Sequence, residues 1–476
     1  MKHLRWIVLV ALAVIPYLSA IHAPLLHDDR TLLDNSWLVH EAGPVSVFRH
    51  DYWFGTKHGS SDLYRPLTVL SLAWNARATP SKEGIRGVNL ALHALATLAL
   101  WWMLGAIASR RAAWIGAAVF AVHPLGSEAV LWAVGRAEIF AAIFGMVAFV
   151  LFVRRSIALS VGAFFCALCF KESAATWLLI GAAWVALRPR EDRQPAKVVA
   201  AGAACHLSAL VVFGALRASA VGWGRTPPPF IDNPLAGADA VTRAANALLL
   251  FGRYVAKMLW PKTLSVEYGF DQLPVVPLLP WGAIGAAAIA AGVVVAVVAL
   301  HRKGHTTAAF LTAWVPCAFA VTGNLAFPIG TIFAERLAYL PLAGACGLLG
   351  LALAAIPRAA WRGALVGLLL VACGARTIAR GSDYRDLASL SEATAAASPR
   401  AVKALANAGR IRLRQGHAAL ALPLLESAVA IWPDYTRVWG LLAEAYAASG
   451  DEARAQDARR HANDAASRAA TGDEPL

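Results

Sequence analysis

The chain alternates between long apolar runs and short polar stretches, and this pattern predicts a bundle of membrane-spanning helices. A helix needs about 20 mostly apolar residues to cross a bilayer, and flanking residues can extend a shorter run. The predicted spans are eleven runs at 6–21, 88–107, 112–122, 138–153, 157–170, 173–187, 198–216, 281–300, 307–327, 337–356 and 363–375. They indicate an all-α, polytopic membrane domain.

One further apolar segment, residues 247–260, is left out of this count because it carries two positive charges. Arg253 and Lys257 are four residues apart and share one face of a helix. Charges at bilayer depth are costly, so an amphipathic helix in the outer interface is the better interpretation. With this count, every second short loop is rich in Lys and Arg, starting with Lys2 and Arg5 at the N-terminus. Such loops are typically cytoplasmic. We expect the N-terminus in the cytoplasm and the C-terminus outside.

Toward its C-terminal end the chain becomes rich in Ala and charged residues, and the apolar runs stop. Helical units repeat here about every 34 residues, a period typical of tetratricopeptide helix pairs. Pro399 and Pro433 occupy the same position of successive units. We therefore divide the chain into a transmembrane domain at 1–376, with a long first external loop at 22–86, and a tetratricopeptide α-solenoid at 377–476. Short arrays of this kind offer a groove to a partner's chain.

The composition excludes an ordinary soluble enzyme. Of the 476 residues, 58% are hydrophobic and only 15% are charged, whereas soluble domains have about 25% charged residues. The net charge of +14 reflects Arg in the expected cytoplasmic loops, and no basic stripe interleaved with aromatics is found in the sequence. We expect membrane lipids and no nucleic acid as partners. The Ala-rich, Lys-poor composition favours a bacterial inner membrane, with the repeats in the periplasm.

The first external loop is too long to be a simple connector and carries candidate chemistry. Asp28 and Asp29 follow the first apolar run directly. Adjacent carboxylates repel each other, which can raise one pKa, and such a pair can act as a general base or bind a metal. The alternative, a helix cap beside the headgroups, is equally open. Tyr64 and Arg65, just before the second run, are further candidates for binding a substrate.

The second external loop places several polar groups at the same membrane face: His123, Glu128, Arg136 and Glu138. His123 and Glu128, together with a first-loop Asp, can form a metal or acid/base cluster. The alternative for His123 is a hydrogen-bonded interfacial histidine. A divalent metal is therefore a candidate cofactor, without an assigned identity.

Three isolated cations, Arg136, Lys171 and Arg336, are expected on this face at helix ends. Together they can neutralise the phosphate of an anionic, lipid-linked substrate, although each alone can equally be a snorkelling anchor. The sequence has no glycine-rich nucleotide motif at a strand–helix junction, no P-loop and no nucleophile elbow. The pattern therefore favours a lipid-linked substrate over a soluble nucleotide.

In five motifs the chain resembles the transmembrane and tetratricopeptide-repeat-containing O-mannosyltransferases, within the GT-C class of polyprenyl-phosphate-sugar-dependent membrane glycosyltransferases. The order of the motifs, and the repeats that follow them, match as well. The motifs are Asp28-Asp29 with Asn35, Tyr64-Arg65-Pro66-Leu67, His123-Pro124 through Glu128 to Gly135-Arg136-Ala137-Glu138, Phe170-Lys171-Glu172, and Ala334-Glu335-Arg336 through Pro341.

The resemblance implies transfer of a hexose, with mannose first, from a polyprenyl-phosphate donor to a Ser or Thr hydroxyl of an exported protein. An acidic residue of the first external loop, Asp28 or Asp29, would be the base. The repeats would dock the acceptor. The other expected contacts are Arg136, Lys171, Arg336, Glu138, Tyr64 and Arg65 for the donor, and Asn407, Trp439 and Tyr446 for the acceptor. Two alternatives stay open: transfer to a glycan or lipid acceptor, and a non-catalytic membrane scaffold.

Overall fold

The structure is a computed structural model that describes residues 2–26, 28–57, 62–188, 194–224, 226–277 and 280–471. Positions 27 and 58–61 of the first external loop, and 472–476 of the second domain, lie outside these ranges. Within them every regular element is helical, so the predicted all-α fold is confirmed. In chain order the α-helices are α1 (Lys2–Val14), α2 (Asp28–Leu33), α3 (Ser36–His40), α4 (Pro66–Ala78), α5 (Lys82–Ile107), α6 (Arg110–Val122), α7 (Ser127–Leu131), α8 (Arg136–Val153), α9 (Ile157–Phe170), α10 (Thr176–Leu187), α11 (Ala196–Val221), α12 (Ala240–Leu259), α13 (Pro280–Arg302), α14 (Thr306–Phe319), α15 (Tyr339–Ala354), α16 (Ala359–Asp383), α17 (Leu387–Ala397), α18 (Val402–Arg414), α19 (Ala418–Ile431), α20 (Thr436–Ala448) and α21 (Glu452–Thr471).

The described helices confirm an integral membrane protein. Six helices are long and apolar enough to cross a bilayer, and they contain α5, α8, α11, α13, α15 and α16. Helix α6 and the segment 124–131 form a seventh candidate that bends by 56°. Shorter apolar helices at 4–20, 157–170, 172–187 and 306–319 coincide with the remaining predicted spans. The number of eleven crossings stays a prediction, because these four need their flanks to reach across.

Helix α12 has the amphipathic character that its sequence predicts, and it is not among the candidate spans. Its buried side chains recur about every four residues, at Asn246, Leu250, Tyr254 and Met258, while Arg253 on another face is exposed. This helix therefore lies against the bundle with one apolar side.

Small residues allow close approach between neighbouring helices in the bundle. A Cβ atom added to Gly116 of α6 would lie 2.9 Å from the carbonyl oxygen of Cys346 in α15. Such small-residue contacts are typical of membrane helix packing. Connecting segments that contact one another lie at one end of the bundle, which we call the loop face. Its described residues are 21–26, 28–57, 62–81, 123–135, 226–239, 260–277 and 320–338.

The C-terminal region is a short stack of helix pairs joined to the bundle without a break. Helix α16 runs through residue 376, where composition places the domain boundary, and the helix pairs begin after it with α17. The pairs α18–α19 and α20–α21 turn at Gly416 and Gly450, whose φ angles of 79° and 82° suit glycine. These turns occupy equivalent positions of two repeats. Helix α17 precedes these pairs and packs against α18.

Candidate functional site

A polar cavity of about 280 Å³ opens on the loop face, between the membrane bundle and helices α17 and α18. Its lining residues come from seven separate segments of the chain. We call it the loop-face cavity. Its charged and amide-bearing lining residues are Asp28, Asp232, Glu267, Arg336, Lys403 and Asn407.

The two adjacent carboxylates at the start of α2 have different surroundings. Asp28 lines the cavity. Asp29 is buried, and its two oxygens accept hydrogen bonds from the backbone N–H groups of Ala133 and Val134, at 2.9 and 3.0 Å. Burial raises the pKa of Asp29 to about 6, although these N–H groups and Arg86 favour the charged form. Asp29 therefore ties the first loop to the second, whereas Asp28 faces the open space.

Arg336 brings a positive charge to the cavity from the segment that precedes α15. Its guanidinium forms an ion pair with Glu128, and its backbone N–H donates to the other Glu128 oxygen at 2.8 Å. The Glu128 side chain is fully buried, but 30% of the Arg336 side chain is exposed. The carboxylate thus holds the arginine in place and leaves part of its side chain accessible at the cavity.

The structure does not bring His123 and Glu128 together as an open metal site. The Nδ1 atom of His123 accepts a hydrogen bond from the Leu125 N–H at 3.2 Å, and Nε2 lies 3.0 Å from the Met258 carbonyl oxygen. Both oxygens of Glu128 bind Arg336. These contacts leave neither side chain available to ligate an ion. Across the described residues, no group of three or more His, Cys, Asp or Glu could hold a metal.

Arg136 is fully buried and lies away from the cavity lining. Its guanidinium donates to the amide oxygens of Asn75 (2.7 Å) and Asn89 (3.0 Å). It also donates to the carbonyl oxygens of Ser71, Ile85 and Ala133, at 3.1–3.2 Å. The expected phosphate contact is therefore replaced in this structure by a buried network that joins α4, α5 and the start of α8.

Lys171 and Glu138 form a buried ion pair beneath the first loop. Arg65 makes a bidentate pair with Glu172, with distances of 2.9 Å from Nε and 2.6 Å from Nη2. Burial disfavours the positive charge of Arg65, but Glu172 outweighs this effect and raises its pKa. These alternating charges fasten the first loop to the α9–α10 connection, and none of the four side chains lines the cavity.

Tyr64 packs the first loop internally. Its hydroxyl donates to the Phe48 carbonyl oxygen at 3.0 Å, and the side chain is buried. Nearby, the Arg65 guanidinium lies over the Tyr52 ring, 5.2 Å from its centroid. The Tyr64 hydroxyl therefore already has a partner, and a contact with a donor stays a prediction.

One of the three residues expected to contact an acceptor lines the cavity. Asn407 does so from α18. Trp439 donates its indole N–H to the Pro433 carbonyl oxygen at 2.6 Å, and the Tyr446 hydroxyl lies 2.7 Å from Glu426 Oε1. The latter two side chains make contacts within the repeats.

Sequence reasoning missed three charged residues of the cavity, Asp232, Glu267 and Lys403. The Lys403 ammonium forms an ion pair with Asp232 and lies 3.9 Å from Glu267 Oε2. Burial raises the pKa of Glu267, and the nearby Lys403 charge opposes this. Asp232 and Glu267 stand in loops without a recognisable motif, so the sequence offers no signal for them.

Backbone hydrogen bonds fix the repeats to the loop face beside this ion pair. The Phe270 N–H donates to the Ile231 carbonyl oxygen at 2.9 Å, and the Phe270 carbonyl accepts from the Val402 N–H at 2.8 Å. The Asp271 N–H donates to the Arg400 carbonyl oxygen at 2.9 Å. Helix α18 is therefore fixed as part of the wall of the cavity.

Comparison with known proteins connects this architecture to one group. A tetratricopeptide-repeat family model matches residues 412–466. The protein O-mannosyl-transferase Tmtc1 of Drosophila melanogaster is 28% identical and aligns with 85% of this chain and 59% of its own length. Human TMTC1 is 27% identical over 69% of this chain and 43% of its own length. Mouse TMTC4 is 24% identical over 83% of this chain and 62% of its own length. The chain thus spans about half the length of the curated relatives it matches. No solved structure matches it significantly. These findings confirm the resemblance to the transmembrane and tetratricopeptide-repeat-containing proteins that are named O-mannosyl-transferases.

Proposed function

We propose that the chain is a membrane glycosyltransferase of the GT-C type. It transfers a sugar, with mannose as the first candidate, from a polyprenyl-phosphate donor to Ser or Thr hydroxyls of exported proteins. The observation that carries this proposal is the loop-face cavity, where Asp28 of the first loop, Arg336 of the bundle and Asn407 of the repeats meet. A potential base, a cation and an amide from the docking domain surround one space that can hold a sugar.

An apolar groove next to the cavity supports a lipid-linked donor. It has a volume of about 310 Å³ and is lined mainly by apolar side chains of α12, α13 and α14. The segment 330–336 separates the two spaces: Ile332 lines the groove, whereas Thr331 and Arg336 line the cavity. A lipid tail in the groove therefore places its phosphate near Arg336.

The proposed reaction is a single displacement at the anomeric carbon. Asp28 accepts the proton of the acceptor hydroxyl while the hydroxyl oxygen bonds to that carbon. The bond between the anomeric carbon and the phosphate oxygen breaks, and the lipid phosphate leaves with the electron pair beside Arg336. Asp29 acts as a positioning residue, because its oxygens are occupied by backbone N–H groups.

The repeats hold the acceptor next to the cavity and raise its local concentration. Asn407 and Lys403 already form part of the cavity wall. We place the loop face and the repeats on the periplasmic side of a bacterial inner membrane, with the N-terminus in the cytoplasm, because this orientation follows the distribution of Lys and Arg. No step is assigned to a divalent metal, because His123 and Glu128 already have partners.

The test compares two Asp→Asn variants in the first loop, assayed in membranes with polyprenyl-phosphate mannose and a Ser/Thr peptide. Asp28→Asn should lower kcat by about 10²- to 10⁴-fold, the usual contribution of a general base. Asp34→Asn, at an exposed position of the same loop, is the matched control and should leave transfer unchanged. Full activity of Asp28→Asn would remove the base assignment.

Intact-mass analysis of exported proteins, from cells with and without the gene, tests the reaction class. Loss of hexose mass units from proteins supports the proposed acceptor. Loss of hexose only from glycans or lipids would point to the alternative acceptor. No change in either would favour a non-catalytic scaffold.

A further inference from the structure

A stripe of polar and positively charged side chains leads away from the cavity along α18. Lys403, Asn407, Arg410 and Arg414 are spaced by four, three and four residues, so they share one face of this helix. Lys403 and Asn407 line the cavity. The stripe therefore begins inside the candidate site and continues along the repeats. We call it, together with Arg437 at the start of α20, the basic stripe.

The outer part of the basic stripe lacks counter-ions. Within the portion of the chain that the structure describes, Arg410, Arg414 and Arg437 form no ion pair, whereas neighbouring Arg412 pairs with Glu392 at 2.7 Å. Arg410 is partly buried, and its Nη2 donates to the Asn407 amide oxygen at 3.2 Å. Its Nε atom is buried without a hydrogen-bond partner.

The arginines of the stripe also act on one another. Burial holds the pKa of Arg410 below its usual range, and the positive charges of Arg437 and Arg414 add to this effect. A bound anion would offset the repulsion between these like charges and would accept a hydrogen bond from the unpaired N–H of Arg410. The inner end of the stripe differs, because Lys403 is already neutralised by Asp232 and Glu267.

We propose that the basic stripe binds an acidic, extended segment of the acceptor polypeptide, and so selects Ser or Thr residues that have Asp or Glu a few positions away. This inference rests on the proposed function and specifies its acceptor. Carboxylates match the arginine guanidinium groups, and Asn407 offers an amide to the peptide backbone. The acidic residues at the cavity itself disfavour carboxylates directly beside the modified hydroxyl.

The length of the stripe sets the spacing. Lys403 and Arg414 are eleven residues apart, or about 16 Å along a helix that rises 1.5 Å per residue. An extended peptide covers this distance in about five residues. Acidic side chains three to five positions from the hydroxyl should therefore be preferred over acidic side chains next to it.

The test measures binding without requiring transfer. The full-length protein, in nanodiscs of zwitterionic lipid, is titrated with a labelled peptide whose central Ser is replaced by Ala. The peptide carries Asp and Glu at three to five positions on each side. A second peptide with Asn and Gln at these positions is the uncharged match. We expect the acidic peptide to bind about tenfold more tightly, because several weak charge pairs act together, and we expect added salt to reduce the difference.

Arg414→Gln/Arg437→Gln should reduce the preference for the acidic peptide to about twofold, because it removes two positive charges of the basic stripe. Both side chains are exposed, so their replacement leaves the packing intact. Arg459→Gln/Arg460→Gln, which removes the same charge from exposed positions of α21, should leave the preference unchanged. Equal binding of the two peptides, or equal losses in both double variants, would overturn the inference. So would stripe-dependent binding of anionic-lipid vesicles in place of the peptide.

The two proposals fail in distinguishable ways. Charge-selective binding without any hexose transfer to the Ser form of the peptide would overturn the proposed function and leave the peptide-binding surface. Transfer that is equally efficient to acidic and uncharged peptides would overturn the basic stripe and leave the glycosyltransferase.

Discussion

Replacing Arg136 by Lys separates a buried structural cation from a phosphate-binding cation. The sequence leaves phosphate binding and membrane anchoring open for Arg136, whereas the structure surrounds the guanidinium with five oxygen acceptors. A Lys ammonium keeps the charge and has three donors at a single atom. It cannot reach the amide oxygens of Asn75 and Asn89 together, because these bind Nη2 and Nε on different sides of the guanidinium.

The magnitude follows from the acceptors left without a donor. Asn75 and Asn89 are both buried, with 6% and 0% of their surface exposed. An unsatisfied buried polar group costs about 1–3 kcal/mol. Arg136→Lys should therefore lower the free energy of unfolding by about 2–6 kcal/mol when both amide oxygens lose their partner. This is a large share of the 5–15 kcal/mol typical of a folded domain.

The assay is thermal unfolding of the detergent-solubilised protein, followed by tryptophan fluorescence, with donor KM measured in parallel. Arg136→Lys should lower the unfolding midpoint by several degrees. Arg110→Lys, the same change at an exposed position, is the control and should not shift it. An unchanged midpoint with a raised donor KM would refute the structural role and restore the phosphate contact.

Three further predictions concern the segments that hold the loop face together. Folding raises the pKa of Asp29 from 3.8 to about 6, so the first loop should lose up to about 3 kcal/mol of stability as the pH rises from about 4 to about 6. Limited proteolysis of the loop at a series of pH values measures this loss, and Asp29→Asn should abolish the pH dependence. Removing Arg65 and Glu172 singly and together should give a coupling energy of about 1–2 kcal/mol from unfolding midpoints, since the pair is bidentate but partly exposed; additive effects would show that it contributes nothing. Gly135→Ala should destabilise the protein by about 1–3 kcal/mol in the same measurement, because the added Cβ meets the Ala129 backbone; a wild-type midpoint would mean that this loop can move aside.

Features with a local period could be predicted from the sequence. The apolar runs appear as helices near the expected positions, and the repeats appear with equivalent turns at Gly416 and Gly450. The amphipathic reading of α12 also fits, because Arg253 and Lys257 break its apolarity on one face. Each of these signals arises within one or two turns of a helix or within one repeat.

Partners far apart in sequence could not be predicted. The sequence does not distinguish the two arginines, yet Arg136 lies in a buried hydrogen-bond network and Arg336 lines an open cavity. The difference is made by Asn75 and Asn89, which have no motif of their own. Similarly, Lys403 meets Asp232 from 171 residues away, and no local periodicity encodes that contact.

The backbone bonds from Phe270 and Asp271 to α18 have a consequence for how this kind of chain can change in evolution or by design. A repeat array on a flexible linker can be exchanged for another array without changing the residues of the candidate site. Here, helix α18 supplies Lys403 and Asn407 to the wall of the loop-face cavity. An exchange of arrays between relatives should therefore succeed only when the join is made after α18, so that the loop-face cavity keeps its own wall and only the outer repeats are replaced.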